Sequence, residues 1–308
     1  MRNELFCLLK EYLESNDKSF FITADLGFGL IEEIKDAIGN RFVNVGVAEQ
    51  SMISVAAGLA HSGANVFCYS LGNFPTMRPL DQLRNLVSYH NLNVNIISSG
   101  CGFSYGQLGY THHAIEDVGI ISSLRNIRIF SPSSITEMKK SFHELSQARW
   151  PSYLRLDRSF RVADELLEGV ENDIYEPRRL RGEGCLGVFA YGGMVVEALT
   201  LADILHDRGI ETTVYSCVAL SHLDEERYSE AIKSHDDLIT IEENNSTTGL
   251  GANIRKIITD RDICGKRLKC FGVDHGKVAL VGDQNYLRKA HGLDAESIVN
   301  LLSKEGWL

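Results

Sequence analysis

Glu49 closes an apolar run, FVNVGVAE (residues 42–49), and opens a stretch of small side chains: Ser51, Ser54, Ala56, Ala57, Gly58 and Ala60. A carboxyl group where a buried strand meets a closely packed helix can do one of two things. It can stabilise the helix N-terminus through the macrodipole, worth a few tenths to about 1 kcal/mol. It can also hold a strong hydrogen bond in a dry site and serve acid–base chemistry there. Spacing alone favours the first reading. Further along, Phe74 offers a flat apolar platform that excludes water and fixes a ring against it. His112 follows a glycine-rich loop (Gly100, Gly102, Gly106 and Gly109), and loops at sheet ends carry function. Histidine suits proton transfer because an unperturbed imidazole titrates near neutral pH. Core packing is the competing role for Phe74 and for its neighbours Leu71 and Tyr69.

The scaffold must bring these positions together. The chain has 308 residues, enough for two domains of ordinary size, and is 44% hydrophobic and 23% charged. A formal net charge of -10 argues against a generic binder of nucleic acid or anionic membranes. The seven cysteines are scattered, odd in number and without a CxxC pair, as expected of reduced thiols in a cytoplasm. Residues 1–16, MRNELFCLLKEYLESN, read as an amphipathic helix and not as a signal peptide. No run approaches the ~20 apolar residues of a membrane span.

Strand-like runs recur at 20–24, 42–47, 65–70, 93–99, 127–132 and 152–156, with helical patterns at 48–61, 79–89, 114–124 and 134–148. Such alternation predicts an α/β fold with a mostly parallel sheet covered on both faces. A polar stretch (157–184) interrupts it and reads as a linker. Strands are then expected at 185–192, 211–218, 237–243 and 266–273, with helices at 194–209, 224–234, 249–260 and 294–304. The chain thus divides into a domain at 1–158, a linker at 159–182 and a domain at 183–308. The glycines from Gly184 to Gly193 do not fall at dinucleotide-binding spacing.

Several ordered motifs resemble the transketolase family. NVGVAEQ (44–50) is similar to its segment carrying the glutamate that contacts the aminopyrimidine of thiamine diphosphate. FPTMRPLDQLRN (74–85) resembles its aromatic–Arg–DQ(I/L)RN segment, and GQLGYTHHAIED (106–117) its G-x-x-G-x-TH-x-x-x-ED segment. YGGMVVEALTLADIL (191–205), HLDEE (222–226) and ITIEENNSTTGLGANI (239–254) are similar to segments of its C-terminal domain. The likeness runs from about residue 20 to about residue 300. It implies a pyrimidine-binding domain followed by a transketolase C-terminal domain, the latter serving mostly in dimer contact.

The resemblance assigns roles. Glu49 would hold the pyrimidine nitrogen and drive the imino tautomer that lets the cofactor deprotonate its own thiazolium carbon. Phe74 would stack on the pyrimidine, with Leu71 and Tyr69 as further candidates for that wall. His112 would reach the donor's reacting oxygen, with His113, in place of the usual Gln, extending the same polar surface. Gln82, Arg84 and Arg78 are assigned to the local fold or a subunit interface.

Two departures bear on substrate. The family loop G-E-D-G is here Gly106-Gln107-Leu108-Gly109, so Leu108 stands where an Asp contacts a ketose hydroxyl. Gly100 falls where the family has a phosphate-contacting His, while Arg158 matches a family arginine associated with substrate phosphate. A site built to bond a hydroxyl discriminates strongly, and an apolar one cannot do so in the same way. The expected reaction is transfer of a two-carbon ketol unit between sugars, at least one of them modified. The chain has no GDG step, so the diphosphate and its Mg²⁺ are expected on a separate N-terminal subunit with a GDG…N motif, in an α2β2 complex. The alternatives are a β-type subunit of a 2-oxo acid dehydrogenase or a deoxyxylulose-phosphate-synthase-like enzyme, and a non-catalytic interaction subunit.

Overall fold

The computed structural model describes residues 1–158, 160–167 and 173–308. Its first sheet is six-stranded and wholly parallel: β1 (Ser19–Thr23), β2 (Phe42–Asn44), β3 (Asn65–Leu71), β4 (Val94–Ser99), β5 (Arg128–Phe130) and β6 (Ser152–Leu156), in the order β2-β1-β3-β4-β6-β5. Central β4 and β6 are buried at every position, as a parallel sheet covered on both faces requires. The two-residue period decides which face each side chain serves. Phe21, Phe67, Tyr69, Ile97 and Leu154 pack under the helices Arg2–Ser15, Glu32–Ile38 and Ile135–Gln147. Ile22, Val66, Cys68, Ile96 and Tyr153 face the other way, onto the helix Glu49–His61 and into a core continuous with the second domain. The helix Ile135–Gln147 starts where the sequence says it should. Ser134 Oγ accepts the Glu137 N–H at 3.1 Å, and the Glu137 carboxylate accepts the Ser133 N–H at 2.8 Å.

The second sheet has the order β11-β10-β8-β9-β7, built from β7 (Arg178–Arg181), β8 (Leu186–Ala190), β9 (Thr212–Ser216), β10 (Asp237–Ile241) and β11 (Arg267–Phe271). Only β7 is antiparallel, paired on β9 at one edge. That strand comes from the segment read as linker, whose RRLR sequence gives no apolar signal. Its charged side chains suit an edge strand. The helix Gln284–His291 is also unannounced by the sequence.

A buried polar seam joins the two domains. Arg155, 4% exposed, donates from Nε to Asp117 at 2.9 Å and from Nη2 to the carbonyls of Ala114 (3.1 Å) and Glu243 (3.2 Å). Tyr153 and Asn244 donate to the same Asp117 carboxylate at 2.6 and 2.9 Å. Glu243 accepts the Phe103 N–H at 3.0 Å, Gln284 Nε2 at 3.0 and 3.1 Å, and Arg288 Nε. Gly102 makes this approach possible: its φ is +59°, and a Cβ there would meet Glu243 Oε2 at 1.9 Å. The seam therefore anchors both ends of the 100–117 loop.

The neighbouring Glu242 is fully buried and accepts the N–H groups of Leu250 and Gly251 (3.0 and 2.9 Å) at the start of the helix Leu250–Asp260. Burial pushes its carboxyl up from the ordinary 4.5 to about 7, against the pull of those donors. The fold keeps this proton up to about pH 7, whereas the unfolded chain loses it above about 4.5. Stability from this group therefore falls as pH rises through that window, by about 3 kcal/mol in all, and is level above it. Glu242→Gln removes the titration. Its melting temperature should gain on wild type from pH 5 to pH 7 and keep a constant offset from pH 7 to 8.5. An offset that does not change with pH excludes the effect.

Candidate active site

The site forms at the carboxyl ends of the first sheet's strands, where open α/β sheets bind ligands. Phe74, after β3, and His112, after β4, line one cleft, and Glu49, after β2, lies behind it and is joined to it through Arg78. Glu49 is the first residue of the helix Glu49–His61, and its side chain is only 3% exposed. Arg78 Nη1 donates to both of its oxygens, at 2.9 and 3.0 Å. The same guanidinium lies over the Phe74 ring, its central carbon 3.9 Å from the ring centroid. Phe74 meets His112 edge-on, centroids 5.1 Å apart. Asn73 ties the two loops together by donating from Nδ2 to the His113 carbonyl at 3.0 Å.

The cleft holds about 410 Å³ and is lined by Phe74, Met77, Arg78, Tyr110, His112 and Glu116, among others. His112 Nδ1 lies 3.0 Å from Thr111 Oγ1. With that hydroxyl donating, Nε2 keeps the ring's proton. Tyr110 donates to Glu116 at 3.0 Å; partial burial raises the Glu116 carboxyl, and the bond raises the Tyr110 phenol. A larger cleft of about 660 Å³, lined by Arg84, Ser88, Tyr89 and Arg125, lies at the amino ends of β4 and β5 and contains no acid.

The structure brings Glu49, Phe74 and His112 together and places the other sequence-derived residues elsewhere. Tyr69 is fully buried on the opposite face of β3, edge-on to Phe6 at 4.9 Å, and burial pushes its phenol up to about 12. Leu71, two residues on, shares that face. His113 turns inward from its neighbour. It is 1% exposed, packs edge-on to Phe103 at 5.3 Å, and burial lowers its pKa. Gln107 and Leu108 are exposed on the turn Gly106–Leu108, outside the cleft lining. The back of that turn packs on the second domain: a Cβ at Gly106 would meet Leu287 at 2.3 Å. Arg158 is exposed and lies 5.3 Å from the Tyr105 ring, which itself covers Gly100, where a Cβ would strike it at 1.9 Å. Arg78, which the sequence assigns to the local fold or a subunit interface, instead joins Glu49 to Phe74. Its signal was the F-x-x-x-R spacing, which on a helical turn sets a guanidinium beside a ring four residues back.

Residues 2–160 match the model of the transketolase pyrimidine-binding domain, and residues 178–298 that of the transketolase C-terminal domain. The chain is 37% identical over 267 residues to one subunit of an apulose-4-phosphate transketolase from Actinobacillus succinogenes, covering 85% of this chain and 84% of the relative. The chain belongs to the transketolase family. To a 6-deoxy-6-sulfo-D-fructose transketolase subunit of a Clostridium species, the chain is 30% identical, covering 97% of its own length and 92% of the relative. A solved structure titled as a split gene transketolase, inactive beta4 tetramer, superimposes with a TM-score of 0.86 at 26% identity, covering 98% of this chain and 97% of that one. Membership of this family carries dependence on thiamine diphosphate and places the chain among transketolase-like transferases. The site suits that cofactor. A planar nitrogen donor group bonded to a buried carboxylate and stacked on an aromatic ring is the environment an aminopyrimidine requires, and Arg78 shows that one fits between Glu49 and Phe74.

Proposed function

We propose that this chain is the C-terminal subunit of a transketolase that moves a two-carbon ketol unit between sugars, at least one of them modified. Its partner is an N-terminal chain whose GDG…N motif holds the diphosphate and Mg²⁺, so that the cofactor lies between unlike subunits of an α2β2 complex. The observation that carries the reading is the buried Glu49 carboxylate joined through Arg78 to the Phe74 ring, with the His112 ring centroid 5.1 Å from that of Phe74.

When bound, thiamine diphosphate supplies the nucleophilic carbon that takes up and hands on the two-carbon unit. The chain's own residues do the rest. Glu49 holds a hydrogen bond at the pyrimidine nitrogen, and its burial keeps water from competing for that bond. Phe74 fixes the ring's plane. His112 gives or takes a proton at the substrate oxygen, with its Nδ1 held 3.0 Å from the Thr111 hydroxyl. The modified-sugar reading rests on Tyr105 filling the space beside Gly100 and on relatives named for apulose 4-phosphate and a sulfo-sugar. Arg158 supplies positive charge for an anionic substrate end. The seven free thiols, and the absence among the described residues of a helix able to cross a membrane, support a cytoplasmic setting.

Calorimetric titration of thiamine diphosphate with Mg²⁺ should show binding to the chain only in complex with its partner. Tight binding to the chain alone excludes the shared site. In the complex, modified ketose phosphates should turn over at least about tenfold faster than xylulose 5-phosphate with ribose 5-phosphate, the discrimination expected of altered polar contacts. Ordinary pentose-phosphate turnover excludes the modified-sugar reading, and pyruvate decarboxylation without ketol transfer replaces the reaction.

A further inference from the structure

Arg78 meets both requirements of the cofactor ring at once. It gives N–H donors to the two oxygens of a carboxylate that is 3% exposed, and its central carbon lies over the Phe74 ring, 3.9 Å from the ring centroid. The two residues that would grip a pyrimidine are thus already occupied by a planar cation from the same chain. We propose that Arg78 is a resident stand-in for the cofactor's pyrimidine, and that loading proceeds by exchange, the pyrimidine displacing the guanidinium from Glu49 and Phe74. The inference rests on the cofactor reading of Glu49 given above.

The surroundings favour exchange over a fixed structural bond. The Arg78 side chain is 45% exposed, so it can swing into solvent without repacking a core. Glu49 is not free to follow, because it begins a helix whose Met52, Ile53 and Ala56 are buried. If Arg78 left with nothing in its place, a buried carboxylate would stand without a side-chain donor among the described residues, which is strongly unfavourable. The stand-in therefore departs only when another donor arrives at Glu49. An arginine suits this part better than a lysine, because its planar fork bonds the carboxylate and stacks on the aromatic face together. Arg78 competes with the cofactor: it keeps the unloaded site ordered and lowers the apparent affinity of the site.

The test compares wild type, Arg78→Ala and Arg78→Lys, each assembled with the N-terminal subunit, by calorimetric titration of thiamine diphosphate at saturating Mg²⁺. Removal of the competitor should tighten binding about tenfold in Arg78→Ala, the scale set by a charged hydrogen-bonded contact half open to solvent. Arg78→Lys, which keeps the charge but not the plane, should fall between. Melting curves give an independent readout. Arg78→Ala should melt lower than wild type without cofactor and gain more on adding it, because the ring then supplies the missing donor to Glu49. Unchanged or weaker binding in Arg78→Ala, with an unchanged melting gain, overturns the stand-in and leaves the cofactor site intact. A wild-type complex that binds no thiamine diphosphate overturns the stand-in and the proposed function together.

Discussion

Glu49→Gln, in the enzyme assembled with its partner, is expected to lose about 10²- to 10⁴-fold in kcat, the usual range for removing a positioned acid–base group. The substitution keeps the shape of the side chain and one acceptor oxygen for Arg78, so the helix Glu49–His61 should stay in place. The melting temperature should move by no more than a few degrees. What disappears is the carboxyl group that can share a proton with the pyrimidine nitrogen. The loss should therefore appear in kcat, with cofactor affinity changing much less, because the stacking face on Phe74 is untouched. Steady-state kinetics and a cofactor titration on the same preparation check this. Full activity in Glu49→Gln would remove the acid from the mechanism and turn the chain into a non-catalytic interaction subunit.

The parts legible in the sequence share one cause: apolar periodicity is a local signal. β4, VNIISS, is buried at every position and reads as an inner strand because few charges could be tolerated there. The helix Gln284–His291 shows the limit of that signal. Its buried residues, Gln284, Leu287, Arg288 and His291, have a helix's i, i+3, i+4, i+7 spacing, but three of the four are polar. They face the polar seam between the domains, so a search for apolar residues at that period finds nothing. The paired acids of ITIEENN resembled a family segment credited mainly with dimer contact. In the structure Glu242 caps a helix and Glu243 binds the other domain of the same chain. Ordered motifs single out Glu49, Phe74 and His112, and the structure sets them near one another through Arg78. Arg78's contact with Glu49 was not legible, because the partners are 29 residues apart and nothing local marks the pairing. Tyr69 and His113 show how a residue near a motif can miss the site: a strand's two-residue period put one on the far face, and a turn of the loop sent the other inward.

Arg288→Met should be the most damaging single change to stability, at about 3–5 kcal/mol, because it strands buried charge. Arg288 is 1% exposed and sits among Glu243, Glu197 (3.3 Å) and Asp157 (3.9 Å), with its guanidinium carbon 4.0 Å from the centroid of the Phe160 ring. Methionine can follow the path of the arginine stem but brings no donor. Glu243 would then keep only Gln284 and the Phe103 N–H as partners among the described residues. A second substitution, Glu243→Gln, removes the stranded charge, so the double variant should recover part of the loss. A thermodynamic cycle on melting or urea unfolding measures that coupling. Simple additivity would mean that the two side chains are not linked as the geometry shows. The damage should also reach the cleft. Glu243 holds the Phe103 N–H, and the loop that begins there carries His112, so a weakened seam loosens the histidine against Phe74. In the assembled enzyme Arg288→Met should therefore raise KM and lower kcat together at temperatures well below its melting point, and Glu243→Gln in the same chain should restore stability more fully than activity, because its amide returns only one acceptor to the loop.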